Sequence, residues 1–298
     1  MMKKLCFSFL LVLIIHASSF AQKGTVSRSL VLKSAILNKE MKYSIYLPLD
    51  YDKNNETYPV LYLLHGYGDN ENAWIDYGKI FESLNQDVLT RLNFQMIIVM
   101  PDALKTYYMN NYNGSVKYED YFFKEFIPHI ESVYRIKKSK NYRAISGLSM
   151  GGFGSFLYAL KYPEYFKVVA PLSSAVRTDE ELVSMKDSIY NRSAYAYLLG
   201  SNLKGRKRLN KTWYENAIIH LINNSDADSL KSIKWYIDCG DDDYLLNGNI
   251  YTHLALAQKR IPHELRIRNG EHNWKYWQVS FVDVYQYIAH VFKSEYKE

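Results

Sequence analysis

Two kinds of hydrophobic pattern divide the chain. Over residues 25–32 and 41–47 it is extended, with Tyr43, Ile45 and Leu47 alternating with their neighbours and the turn-prone Leu37-Asn38-Lys39-Glu40 between the two runs. Alternation with a period of two predicts strands with one buried face. Beyond Pro59 the apolar runs are short and continuous, at 60–64, 96–100, 142–145, 168–172, 233–237 and 264–267. Strands of that kind are buried on both faces. Longer amphipathic stretches separate them, and helices are expected over 79–92, 118–134, 153–160, 250–258 and 274–292. In the second of these, Phe122, Phe126, Ile130 and Val133 share one face, while Pro128 predicts a kink or a boundary. Strand–helix alternation predicts an α/β protein, a mostly parallel central sheet with helices on both faces. Residues 177–228 hold no convincing strand and read as a small helical insertion. No linker or repeat interrupts 22–298, which reads as a single domain.

Composition narrows the class. The 298 residues are 48% hydrophobic and 23% charged, which excludes a disordered or collagen-like chain and allows a sizeable core. The formal charge of +6 comes with no basic cluster larger than Lys137-Lys138 or Arg206-Lys207-Arg208, so no nucleic acid is expected as a partner. Residues 1–21 read as a secretory signal peptide. Lys3 and Lys4 form its charged start, 5–15 its apolar run, and Ser19-Phe20-Ala21 its cleavage site. The run is too short for an ordinary span, so no membrane span is expected after cleavage; the alternative is an uncleaved anchor. Cleavage before Gln22 removes Cys6 and leaves Cys239 alone, which rules out an internal disulfide. An exported protein without disulfides points to a bacterial periplasmic or secreted enzyme. The 28 tyrosines fit either a stacking surface for sugar or aryl rings or the base composition of an AT-rich genome.

The segment Ile145-Ser146-Gly147-Leu148-Ser149-Met150-Gly151-Gly152 carries the chemistry. It is G-x-S-x-G between an apolar strand and a helix, the setting of a nucleophile elbow. Gly147 and Gly151 lack the Cβ atoms that would collide across so tight a turn. The helix behind Ser149 offers a backbone N–H and the positive end of its dipole to a developing oxyanion. A serine nucleophile needs a base and an orienting acid, in the chain order serine, acid, histidine. Of the histidines that come after Ser149, His272 alone follows a strand, in the polar loop Arg268-Asn269-Gly270-Glu271-His272-Asn273, just before the last helix. The acid should follow the strand at 233–237. Asp241, Asp242 and Asp243 stand there in a row, and spacing does not choose among them; a calcium loop lacks further ligand spacing.

Four motifs in order carry a resemblance over nearly the whole chain after the signal: Leu63-Leu64-His65-Gly66-Tyr67-Gly68, Gly147 to Gly152, Asp238-Cys239-Gly240-Asp241-Asp242-Asp243, and Gly270-Glu271-His272-Asn273-Trp274 to Trp277. Together they resemble the esterase family that contains feruloyl and acetylxylan esterases, to which S-formylglutathione hydrolases and mycolyltransferases are similar. The resemblance implies an α/β-hydrolase fold and a catalytic triad of Ser149, Asp243 and His272, with Asp241 and Asp242 as the variable pair. It also implies an oxyanion hole from the backbone amides of Tyr67 and Met150. The reaction expected is hydrolysis of a small-molecule or polysaccharide ester, feruloyl or acetyl in type, through an acyl-enzyme, with no metal and no cofactor. An acyltransferase with a sugar acceptor, or a silent binding protein on the same scaffold, are the rival readings. Trp274 and Trp277 flank the base, and Tyr107, Tyr108 and Tyr112 with Asn110 and Asn111 follow a strand end, where parallel sheets bind ligands. Trp274, Trp277, Tyr108 and Asn110 are the substrate-binding candidates, and the insertion at 177–228 is a candidate lid.

Overall fold

Runs of apolar residues too short for helices form the middle of one eight-stranded sheet. In the computed structural model, which describes residues 24–84, 89 and 92–295, the strands are β1 (Thr25–Ser34), β2 (Lys39–Leu47), β3 (Val60–Leu64), β4 (Ile97–Pro101), β5 (Arg143–Leu148), β6 (Val168–Leu172), β7 (Lys234–Gly240) and β8 (His263–Arg268). The signal at 1–21 and part of the helix expected over 79–92 lie outside the described residues.

The strand order is β1-β2-β4-β3-β5-β6-β7-β8. β1 pairs antiparallel with β2 and β2 with β4, while β3 to β8 pair in parallel with their neighbours. Every residue of β3, β4 and β6 is buried, as continuous apolar runs require. Successive side chains then serve two cores. Val60, Tyr62 and Leu64 join one, and Leu61 and Leu63 the other. β2 departs from the expectation of one buried face. Ser44 and Tyr46 on its second face are also buried: Ser44 Oγ donates to Asn72 in the covering loop (2.9 Å), and Tyr46 joins the second core.

Helix α1 (Met150–Lys161) packs on β5 and β6 from the first core, with Phe156 and Leu157 inward. Helix α2 is Leu246–Gln258, four residues longer at its start than the expectation over 250–258. Helix α3 (Trp274–Glu295) covers the opposite face through Trp277, Phe281, Val284 and Ile288. The stretch expected over 118–134 contains the boundary that Pro128 demands. Tyr118–Tyr121 is α-helical, Phe122–Phe126 is π-wound, and a fresh α-helix runs Ile127–Val133 with Pro128 in its first turn, where a missing N–H costs nothing.

Short helices fill 177–228, from Asp179–Ser184 to Ala227–Lys231. The fully buried Arg208 guanidinium holds the first part together. It donates to the carbonyls of Leu182 (3.0 Å) and Met185 (2.5 Å) and to Asp187 (2.5 Å). Among the described residues, no helix is long and apolar enough to cross a membrane.

Candidate active site

The carboxyl ends of the parallel strands share one edge of the sheet, and the sequence-expected residues sit on the loops that leave it. Ser149 turns the chain from β5 into α1 with φ 54° and ψ −113°, a conformation that L-residues avoid unless the surroundings impose it. Its amide donates to Leu172 O (2.9 Å), and its carbonyl accepts from Phe153 (3.0 Å) and Ala175 (3.0 Å), so the backbone is held on both sides. A Cβ on Gly147 would stand 2.7 Å from the Gly151 carbonyl carbon, and one on Gly151 2.5 Å from Leu64 O. The elbow can therefore close only with glycine at both positions.

His272 lies in the loop between β8 and α3, and its Nε2 is 3.0 Å from Ser149 Oγ. Its Nδ1 is 2.8 Å from Asp243 Oδ2 and 3.0 Å from Oδ1. A carboxylate only accepts, so Nδ1 carries the hydrogen and Nε2 presents a lone pair to the serine O–H. Burial pushes the Asp243 carboxyl up, but hydrogen bonds from His272 and from the Leu245 amide (2.8 Å) outweigh it and hold the group below its usual range. The other two aspartates point elsewhere. Asp241 accepts from the Gly270 amide (2.9 Å), and Asp242 is exposed. Beneath the pair, the fully buried Asp238 accepts from Arg268 (2.6 Å), Tyr276 (2.6 Å), Ser280 (3.0 Å) and Tyr236 (3.2 Å). That network clamps the ends of β7 and β8, which lead to Asp243 and His272 respectively.

Gly66 lets the loop after β3 pass over Ser149, since a Cβ there would lie 3.8 Å from that of Ser149 and 2.7 Å from Leu148. The peptide that joins Gly66 to Tyr67 is fixed from behind. Buried His65 accepts from the Ala103 amide through Nε2 (2.8 Å), so Nδ1 carries the hydrogen and donates to Gly66 O (2.7 Å). Met150 supplies the first amide of α1, which has no acceptor within the helix.

The four expected substrate contacts lie in different surroundings. Tyr108 is fully buried and its hydroxyl donates to His65 O (3.0 Å), so it supports the loop beneath the site and offers no ring face. Trp277 is also buried; its Nε1 donates to Ser173 Oγ (3.0 Å) and its ring meets His272 edge-on at 4.8 Å. It braces the imidazole. Asn110 accepts from the Asp120 amide (3.3 Å), tying its loop to the helix at Tyr118–Tyr121. Trp274 packs edge-to-face with Trp74 and Trp277 and tilted against Tyr77, and is only partly exposed.

Other tyrosines take the open positions. Tyr244, 68% exposed, lies 4.6 Å from the His272 ring. Tyr107 stacks between Tyr67 (6.0 Å) and Tyr195 of the insertion (6.1 Å), with Phe153 at 5.6 Å. The space that Tyr107, Phe153, Ala175, Arg177, Tyr195 and Trp213 enclose is about 20 Å³, room for one water. Sequence reasoning missed Tyr244 and Arg177. The available signals were adjacency to Asp243 and a lone cation just past the end of β6.

The sequence profile of the Esterase family matches residues 34–288. Among curated proteins, an acetyl esterase of Caldicellulosiruptor saccharolyticus is 24% identical over 271 residues, which cover 87% of this chain and 96% of that one. An endo-1,4-beta-xylanase/feruloyl esterase of Xylanibacter ruminicola is 35% identical over 153 residues, 48% of this chain but 21% of that protein. A solved ferulic acid esterase superposes with a TM-score of 0.76 at 30% identity, over 91% of this chain and 99% of its own. An S-formylglutathione hydrolase from Staphylococcus aureus shares the fold, with a TM-score of 0.68 at 20% identity over 89% and 99%.

Proposed function

Because this chain belongs to the Esterase family and is a carboxylic ester hydrolase, we propose that it is an exported serine esterase acting on carbohydrate-linked acetyl or feruloyl esters. The observation that carries the reading is the unbroken relay Asp243–His272–Ser149, at 2.8 and 3.0 Å, on a strained elbow. His272 Nε2 takes the Ser149 proton as Oγ attacks the ester carbonyl, and Asp243 stabilises the imidazolium that forms. The amides of Tyr67 and Met150 receive the tetrahedral oxygen, each worth roughly 2.7–4 kcal/mol of transition-state stabilisation. The alcohol leaves with the proton from His272, and water then enters by the same route to release the acid. Residues 22–298 act as a single domain, residues 1–21 direct it to the periplasm or outside the cell, and the substrate names of its relatives support the acyl groups.

The test compares acetylated and feruloylated xylo-oligosaccharides with nitrophenyl butyrate. At least one carbohydrate ester should be cleaved with a kcat/KM tenfold or more above the butyrate. Preference for the butyrate would overturn the carbohydrate assignment.

The insertion at 177–228 selects the acyl group in this reading. An aryl group entering beside Phe153 has to displace Tyr195 or Trp213, whereas an acetyl group does not. Trp213 is buried and donates to Asp179 (2.7 Å), so Trp213→Ala should cost about 3–5 kcal/mol. That corresponds to a Tm lower by roughly 10 °C. The same variant should change kcat/KM for feruloyl esters more than for acetyl esters. Equal change on both would remove the insertion from substrate selection.

A further inference from the structure

A groove of about 560 Å³ opens between the loop after β3, the loop after β4 and the insertion. Its walls include Tyr67, Asp69, Asn70, Leu104, Lys105 and Tyr197. Tyr67 and Tyr197 are 46% and 45% exposed, so each offers an open ring face, and Lys105 Nζ lies 5.3 Å from the centre of the Tyr67 ring. None of these side chains is used by the relay. Tyr67 nonetheless directly follows Gly66, which passes over Ser149, so one wall of the groove belongs to the same loop as the site.

We infer that this groove is a subsite for a neutral oligosaccharide, the carbohydrate part of the ester. The inference rests on the esterase reading and names where the sugar chain lies. A pyranose ring has apolar C–H faces and a rim of hydroxyls, so it is recognised by aromatic faces with donors and acceptors beside them. Tyr67 and Tyr197 supply the faces, Asp69 and Asn70 accept from hydroxyls, and Asn70 and Lys105 donate to them. The charge pattern narrows the class. Asp69 and Asp102 stand against one lysine, so the groove repels phosphate or carboxylate ligands and holds no arginine fork to bind them. At this volume it lies within the range of ligand sites formed in advance of binding.

The groove is tested first without catalysis, by calorimetric titration of the protein with ester-free xylohexaose and cellohexaose. Saturable binding of at least one is expected, weakened tenfold or more in Tyr197→Ala and in Asp69→Asn. No binding of either sugar, or binding unchanged in both variants, would overturn the subsite. A second readout is the ratio of kcat/KM on acetylated xylo-oligosaccharide to that on nitrophenyl acetate, which should fall about tenfold in Tyr197→Ala. An unchanged ratio would equally overturn it. Tyr197 is a surface residue, so melting curves of the variant should overlay the parent. Titration with ester-free sugars does not depend on turnover, so a failure of the serine mechanism and a failure of the groove are read separately.

Discussion

Ser149→Ala is expected to fold as the parent does and to lose ester hydrolysis by about 10⁴-fold or more in kcat. The variant removes the single oxygen that His272 Nε2 approaches at 3.0 Å and leaves the elbow otherwise intact. Alanine accepts φ 54° no better and no worse than serine, and the backbone bonds from Ser149 to Leu172, Phe153 and Ala175 do not involve the side chain. Stability should therefore hold while chemistry disappears. Initial rates on nitrophenyl acetate and a melting curve check both halves. Activity within tenfold of the parent would mean that the acyl-enzyme forms elsewhere or does not form.

Asp243→Asn should be nearly as damaging, about 10⁴-fold in kcat, although it changes one atom of a buried side chain. The reason is the tautomer. Asp243 can only accept, which places the imidazole hydrogen on Nδ1 and frees Nε2 for the serine. An asparagine can turn its NH₂ toward Nδ1, and the hydrogen then moves to Nε2, where it blocks proton transfer. Asp241→Asn and Asp242→Asn should stay within a few-fold of the parent. The first substitution keeps a side-chain oxygen for the Gly270 amide, and Asp242 is exposed. Kinetics on the three single variants decide the matter, and a larger loss in Asp242→Asn would displace the assignment by one residue. The pairing has a pH signature as well. A carboxyl held below its usual range contributes stability that is present above the ordinary value of about 3.9 and disappears as pH falls through the lower folded value. At neutral pH, then, the charge on Asp243 is constant.

Much of the architecture was legible in residue pattern alone. Continuous apolar runs such as 60–64 and 168–172 marked strands buried on both faces, and those strands lie inside the sheet with every residue buried. Pro128 marked a helix boundary, because a residue without an N–H interrupts a helix wherever it lies. The extended run at 41–47 was misjudged on one count. Alternation reports the side chains of the strand and not what covers them, and the loop bearing Asn72 buries the second face through Ser44.

For the site, local sequence determined what local geometry needs. Gly147 is required by its approach to Gly151 across the turn, although both glycines also face Leu64 of β3, and a histidine in a polar loop after a strand stands out without any fold. The choice among three adjacent aspartates is different in kind. It depends on how the loop leaving β7 turns toward the loop leaving β8, 29 residues later, and so on the Asp238–Arg268 clamp that joins the two strand ends. Aromatic residues show the same division. Tyr108 and Trp277 are as plausible on paper as Tyr67 or Tyr244, because composition cannot tell a ring that packs from a ring that waits for a ligand. Burial decides it. The chain folds Tyr108 and Trp277 under the site, where their polar atoms hold His65 and Ser173, and leaves Tyr67 and Tyr244 with open faces. Which side of a ring meets solvent is set by every element around it, and only the tertiary structure contains that sum.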